Sequence, residues 1–354
     1  MAGGSPPRWL VAALALVVPG LTLVGAPALA AAGSVTPAAA VPASAATTVS
    51  VTPASTPAVP GGGPDPDVVF FKGAYYGFTT GTALGNNLQV LVDTTGNPQR
   101  GWRSYTGHPY GSSALPHPPS WETPNTQTSP GVAEVGSHWV MWYDVAEHGH
   151  AEASGYSCLS VATATSLTLA HPVFTDHSTK PAWCPSGGVL DPAPFVDPAT
   201  GVPYLIWKSN DGSSHAASHV YSVRLDPSGT RFDGTPVSIL VNDTARFPWE
   251  TTLDDPSFYE GPHGLVLTFS VGNWQDSTYA MAFATCSGPK GPCHEPAGAP
   301  FLRSYGTAAG PGGGMLFAGK GGSTWLVYAA WKKGCTASCA GAVRRMFVAH
   351  ASVS

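Results

Sequence analysis

Charge is what this 354-residue chain has least of: Asp, Glu, Lys and Arg make up 10% of it, against about 25% in ordinary globular proteins. That scarcity argues against charged, solvent-facing helices, and 42 glycines and 35 prolines point instead to short strands joined by tight turns. There is no basic patch and the net charge is −5, which argues against a nucleic-acid partner. From Ala31 to Gly63 there is no charge and no aromatic ring, leaving too little apolar area to offset the entropy of ordering. This stretch is expected to be an extended, disordered tether. Gly312-Gly313-Gly314 is followed neither by a helix pattern nor by Lys-Ser/Thr, so it is not a phosphate cradle. No cofactor and no metal are expected.

One long apolar run is present, Trp9 to about Val24, preceded by Arg8 and followed by Ala28-Leu29-Ala30. This is the pattern of a secretory signal peptide, expected over residues 1–30. Pro19 and Gly20 interrupt the run, which falls short of the roughly 20 unbroken apolar residues of a membrane span. A secreted, extracellular chain, monomeric and free of the membrane after cleavage, is expected. All six cysteines lie beyond the tether in three close pairs, Cys158 with Cys184, Cys286 with Cys293, and Cys335 with Cys339. In an oxidising compartment these read as three local disulfides. Zinc at Cys335 and Cys339 is the competing reading, but no second Cys/His pair stands at a matching interval.

Residues 64–354 carry one pattern five times: a proline, a short apolar strand, a turn, and a longer aromatic-rich strand. The prolines are Pro66, Pro130, Pro192, Pro256 and Pro311, at intervals of 64, 62, 64 and 55 residues. A near-constant long period filled with strands predicts an all-β, five-bladed propeller, each blade a four-stranded sheet around a central channel. The residues before these prolines are Asp65, Ser129, Asp191, Asp255 (preceded by Asp254) and Gly310. Equivalent positions of different blades share one radius and height, so the acids are expected to meet at one mouth of the channel. Carboxylates gathered in a concave site repel, which raises the pKa of at least one and separates acid from base roles. That division is what hydrolysis of a glycosidic bond requires. Trp183, Trp249 and Trp274 are the tryptophans nearest the acid motifs in sequence and are candidate sugar-stacking residues; most others are expected to pack between blades.

Pro64-Asp65-Pro66-Asp67-Val68 with Tyr75-Tyr76, Leu190-Asp191-Pro192 with Tyr204 to Lys208, Leu253 to Phe258 with Asn273-Trp274, and Cys286 to Cys293 followed by Gly310 to Gly313 together resemble glycoside hydrolase family 43, in its exported bacterial members. The likeness runs from about Pro64 to the C-terminus. It implies a five-bladed propeller that inverts anomeric configuration on arabinose- or xylose-containing polysaccharide. Asp65 would be the general base, Asp191 the group that tunes and holds the acid, and Asp254 the general acid, with Glu250 as the first fallback and Asp255 and Glu260 nearby. The chain departs from the family in carrying Asp254 where it has Glu, Gly313 where many members have His beside an axial ion or water, and Thr128-Ser129-Pro130 for Trp-Ala-Pro. A non-catalytic, glycan-binding propeller is the alternative function.

Overall fold

The computed structural model describes residues 47–81, 87–104, 112–149, 156–210 and 217–354; the expected signal peptide and residues 31–46 of the expected tether lie outside them. Five antiparallel sheets make five blades. Blade I is β2 (Asp67–Phe71), β3 (Ala74–Thr79), β4 (Gln89–Asp93) and β5 (Ser112–Ser113); blade II is β6 (Thr128–Val135), β7 (His138–Val145) and β8 (Cys158–Ala164). Blade III is β9 (Val189–Val196), β10 (Pro203–Ser209), β11 (His219–Arg224) and β12 (Val237–Val241); blade IV is β13 (Asp254–Gly261), β14 (Gly264–Val271), β15 (Ala280–Cys286) and β16 (Cys293–His294). Blade V joins β17 (Ala308–Ala318), β18 (Thr324–Lys332) and β19 (Arg345–Val353) to β1 (Val49–Thr52), the earliest described strand.

The second strand of each blade reads as a nearly unbroken apolar run because it is covered on both faces. β3, AYYGFT, is buried at all six positions, and β7, HWVMWYDV, at all but His138. The core is accordingly five clusters, one between each pair of neighbouring blades. Tyr76 and Phe78 meet Trp139 and Met141 between blades I and II. Val68 and Tyr75 meet Phe317 and Val327 between blades I and V, which closes the ring.

Two expectations are corrected. The tether does not extend to Gly63: Val49 to Thr52 pair with Val353 to His350, and Val49 is buried in the cluster between blades IV and V. Alternating valines in VSVT fit a half-buried edge strand, and the free edge of β19 supplies the ladder. Cys158–Cys184 and Cys286–Cys293 are bonded, but Cys335 and Cys339 are free thiols. Tight turns fix that loop's backbone, Cys335 N–H donating to Lys332 and Cys339 N–H to Thr336, and leave the two thiols as hydrogen-bonding neighbours.

A chain beginning at residue 54 loses β1. Burying one valine is worth about 1.5–3 kcal/mol, and β19 would also lose its ladder partners. Calorimetry should show the melting temperature lowered by roughly 5 °C or more; an unchanged value would mean that β1 is not part of the cooperative fold.

Candidate active site

The inner strand of every blade slips at the same place. Thr128 pairs with Asp144 and Gly131 with Trp142; Leu190 pairs with Lys208 and Ala193 with Ile206; Asp254 pairs with Ser270 and Ser257 with Thr268; Gly312 pairs with Ala329 and Met315 with Val327. In blade I, Pro64 C=O accepts from Thr80 N–H and Asp67 pairs with Phe78. The inner strand thus carries one residue more than its partner, a β-bulge that re-aims a side chain. The residue at the bulge has positive φ in all five blades: Asp65 49°, Ser129 48°, Asp191 57°, Asp255 46° and Gly313 61°. Blade V slips twice, around Gly310 (φ 57°) and around Gly313, and it is Gly313 and Gly314, not the Gly310 and Pro311 of the proline spacing, that line the axis.

A bulge removes an N–H from the ladder, and that donor needs another partner. Here the preceding blade provides it. Ser129 N–H donates to Thr80 Oγ1 (2.9 Å), Asp191 N–H to Asp144 Oδ1 (3.1 Å), Asp255 N–H to Asp191 Oδ2 (3.0 Å) and Gly313 N–H to Ser270 Oγ (2.8 Å). Thr80, Asp144 and Ser270 hold equivalent places opposite the first pair of each bulge. In blade III that place is held by Lys208, whose Nζ lies 2.6 Å from Asp254 Oδ1.

The five bulges line one axial pocket of about 40 Å3, room for water but not for a sugar ring. Asp65, Asp191 and Asp255 face into it with Asp67 and Ser129. Asp65 Oδ1 accepts from Arg344 Nη1 at 2.7 Å and Oδ2 from Thr80 Oγ1 at 2.7 Å. Ser129 Oγ donates to Asp191 Oδ1 at 2.8 Å, and Tyr279 OH to Asp255 Oδ2 at 3.0 Å. Glycine is required at 313: a methyl there would lie 2.5 Å from Arg344 Nη2, 2.9 Å from Asp65 Oδ1 and 3.1 Å from Asp255 Oδ2.

So many carboxyls in one dry place cannot all ionise. Burial, then repulsion from Asp191, Asp65 and Asp254, pushes Asp255 well above the usual carboxylate range, with Arg344 opposing. Burial and Asp254 raise Asp191 to about 6 against the pull of Lys208. Burial and Asp191 raise Asp144 to about 8, and burial drives Asp67 to about 7 against the opposing Val132 N–H.

Asp65 and Asp191 stand where the repeat placed them. Asp254 is not among the pocket-lining residues; its side chain is 13% exposed and paired with Lys208. Glu250 is fully buried elsewhere, accepting from Asp243 N–H at 2.6 Å, and Glu260 is exposed at the end of the β13–β14 hairpin. Of the three tryptophans only Trp274 reaches this site. It is 46% exposed, stacked on Trp331, and lies with its ring 6.0 Å from the Arg344 guanidinium. Trp249 packs against the core between blades III and IV. Trp183 packs on Phe232 in a separate cleft. Arg344, Lys208 and Tyr279 were not singled out from sequence; Lys208 is the one with a readable signal, a cation closing an apolar strand.

The family model for Glycosyl hydrolases family 43 matches residues 54–348. A thermostable family-43 glycoside hydrolase of known structure superposes with a TM-score of 0.66 at 18% identity, over 83% of this chain and 93% of its own. The endo-1,4-beta-xylanase of Bacteroides thetaiotaomicron VPI-5482 gives 0.64 at 20% identity over 82% and 94%, and the endo-arabinase of the same organism 0.64 at 16% over 84% and 96%. At these identities the structures share the fold. No curated protein sequence matches the chain.

Proposed function

The chain belongs to glycosyl hydrolase family 43, and from that premise we propose that it is a secreted enzyme cleaving O-glycosidic bonds in arabinose- or xylose-containing polysaccharide by single displacement with inversion. The observation that carries this reading is the convergence of bulge carboxylates from blades I, III and IV on one axial pocket. Asp65, held by Arg344 and Thr80, is the base that takes a proton from the attacking water. Asp191, bonded to Ser129 and to the Asp255 N–H, fixes the blade IV acids and repels them electrostatically. Asp254 donates a proton to the leaving oxygen.

Asp255 is a poorer donor although burial and its acid neighbours raise its pKa. A single methyl on Gly313 would touch both its Oδ2 and Asp65 Oδ1, and inversion needs roughly 6.5–9.5 Å between the carboxyls to admit water and sugar. Asp255 is better cast as the proton that lets three acids share the axis. Export is supported by the apolar run after Arg8 and its small-residue site, and by two disulfides. The Lys208–Asp254 contact favours one second reading, a propeller that holds glycan without cutting it, because Asp254 is turned to an ammonium 2.6 Å away and does not line the axial pocket.

Sugar release from arabinans, arabinogalactan and xylans decides between them. Wild type should release sugar, and Asp65→Ala and Asp254→Ala should each lower the rate by about 10²–10⁴. Release untouched by Asp254→Ala transfers the donor role to another group; no release by wild type leaves the binding propeller. NMR of the first-formed anomer tests inversion.

A further inference from the structure

A cleft of about 780 Å3 opens between the outer part of blade II and the loop joining β11 to β12 of blade III. None of its lining residues lines the axial pocket. Among the described residues, blade II has three strands where the other blades have four. Beyond β8 its edge is covered by two isolated bridges, Thr163 with Thr175 and Leu159 with Trp183. Trp183 is thereby fixed in place: its carbonyl accepts from Leu159 N–H at 2.8 Å, and the next residue, Cys184, is bonded to Cys158. Its indole is 37% exposed. Behind it runs a file of rings, Phe232 at 5.3 Å, then Trp207 at 5.3 Å and Tyr221 at 5.8 Å. The indole therefore gains little freedom when the cleft is empty and loses little when it is filled, which is the condition for cheap binding.

The polar part of the lining is hydroxylic and cationic, Ser160, Ser178, Thr179, Thr230 and Thr235 with Lys180 and Arg231. Ser160 Oγ donates to Asp176 Oδ2 at 2.6 Å, and Ser178 N–H to Asp176 Oδ1 at 2.6 Å. One carboxylate, itself 8% exposed, thus orients the polar wall. Lys180 and Arg231 stand at the cleft, Arg231 with Nε and Nη2 on Asp226 Oδ2 and its exposed Nη1 open to a further acceptor, and among the described residues no Asp or Glu lines the cleft, in a chain whose net charge is −5. A fixed aromatic plate suits the apolar face of a sugar ring, hydroxyls suit its edge, and two cations with no lining acid suit a carboxylate.

We propose that this cleft is a second polysaccharide site, remote from the axial carboxylates, which binds a chain segment bearing uronic acid units. The proposal rests on the glycan-directed reading above. Trp183 takes the ring face, and Lys180 and Arg231 take the sugar carboxylate. A polymer held there raises the local concentration of its own bonds at the mouth.

The test is affinity gel electrophoresis of the full chain carrying Asp65→Asn, run through glucuronic-acid-substituted xylan and through unsubstituted xylan. Retention should be stronger in the acidic polymer, fall with added salt, and drop fivefold or more in the Trp183→Ala variant. Thr235→Trp, which fills the cleft from its other wall without removing packing, should act alike, and thermal unfolding reports whether each variant is folded. Retention unchanged by both substitutions, equal retention in the two xylans, or no retention at all overturns the proposal. Sugar release from short oligosaccharides reports on the axial site alone, so failure there and failure here are told apart.

Discussion

Arg344→Ala should destabilise the protein by about 3–5 kcal/mol, the cost of breaking a buried pair and stranding its charge, and should also cut activity sharply. The guanidinium side chain is 6% exposed. It donates to Asp65 Oδ1 at 2.7 Å and to the Gly312 carbonyl at 3.2 Å, and lies 5.4 Å from the Tyr279 ring. It is the cation that opposes the repulsion among Asp65, Asp191 and Asp255. Without it the base loses the donor that fixes its Oδ1, so kcat should fall because the attacking water is no longer held in line. Arg344→Lys keeps a charge but not the two-pronged geometry; it should recover part of the stability and less of the rate. Denaturant unfolding and steady-state kinetics read the two effects separately. A variant of normal stability and unchanged kcat would show that Arg344 does not govern Asp65.

The fold was legible because two signals agreed. Prolines 62 or 64 residues apart marked four blades, and covered second strands such as WLVYAAW left long apolar runs. The acids were legible for the same reason, since Asp65, Asp191 and Asp255 occupy one bulge position with one backbone twist. Blade V was misread because its ladder slips at both Gly310-Pro311 and Gly313-Gly314, and only the second pair lines the axial pocket. Pairing partners decide register there, and a single sequence does not show them. Radial position was equally hidden. Trp183 and Trp249 are close in sequence to acid motifs, but one covers the outer edge of blade II and the other lies in the link from blade III to blade IV. Arg344 comes from just before β19 and meets Asp65 only because the ring closes. The strand VSVT was lost in an Ala/Pro/Thr-rich stretch because its partner β19 lies at the other end of the chain.

Stability should be greatest in mild acid and fall as pH rises. Burial raises Asp67 to about 7, Glu122 to about 7 and Asp144 to about 8 in the folded chain, while the unfolded chain titrates near 4. Geometry supports the direction independently. Asp67 Oδ1 is buried without a partner, and the Tyr143 hydroxyl, with one proton, bridges Glu122 and Asp176, so that network closes best when one carboxyl keeps its proton. A folded pKa above the unfolded one means that the folded state binds more protons. The contribution is complete below about pH 4 and is lost as pH climbs through 7 to 8. A tenfold gain in proton affinity on folding is worth about 1.4 kcal/mol, so a gain of only that size at each of these three carboxyls already gives about 4 kcal/mol. The melting temperature should therefore decline steadily from pH 5 to pH 9. Asp144→Asn imitates the protonated acid, keeps an oxygen for the Asp191 N–H, and should flatten that decline by stabilising the chain at pH 8 more than at pH 5. A melting temperature that rises between pH 5 and pH 8, in wild type, would show that the axial carboxyls are ionised in the folded protein.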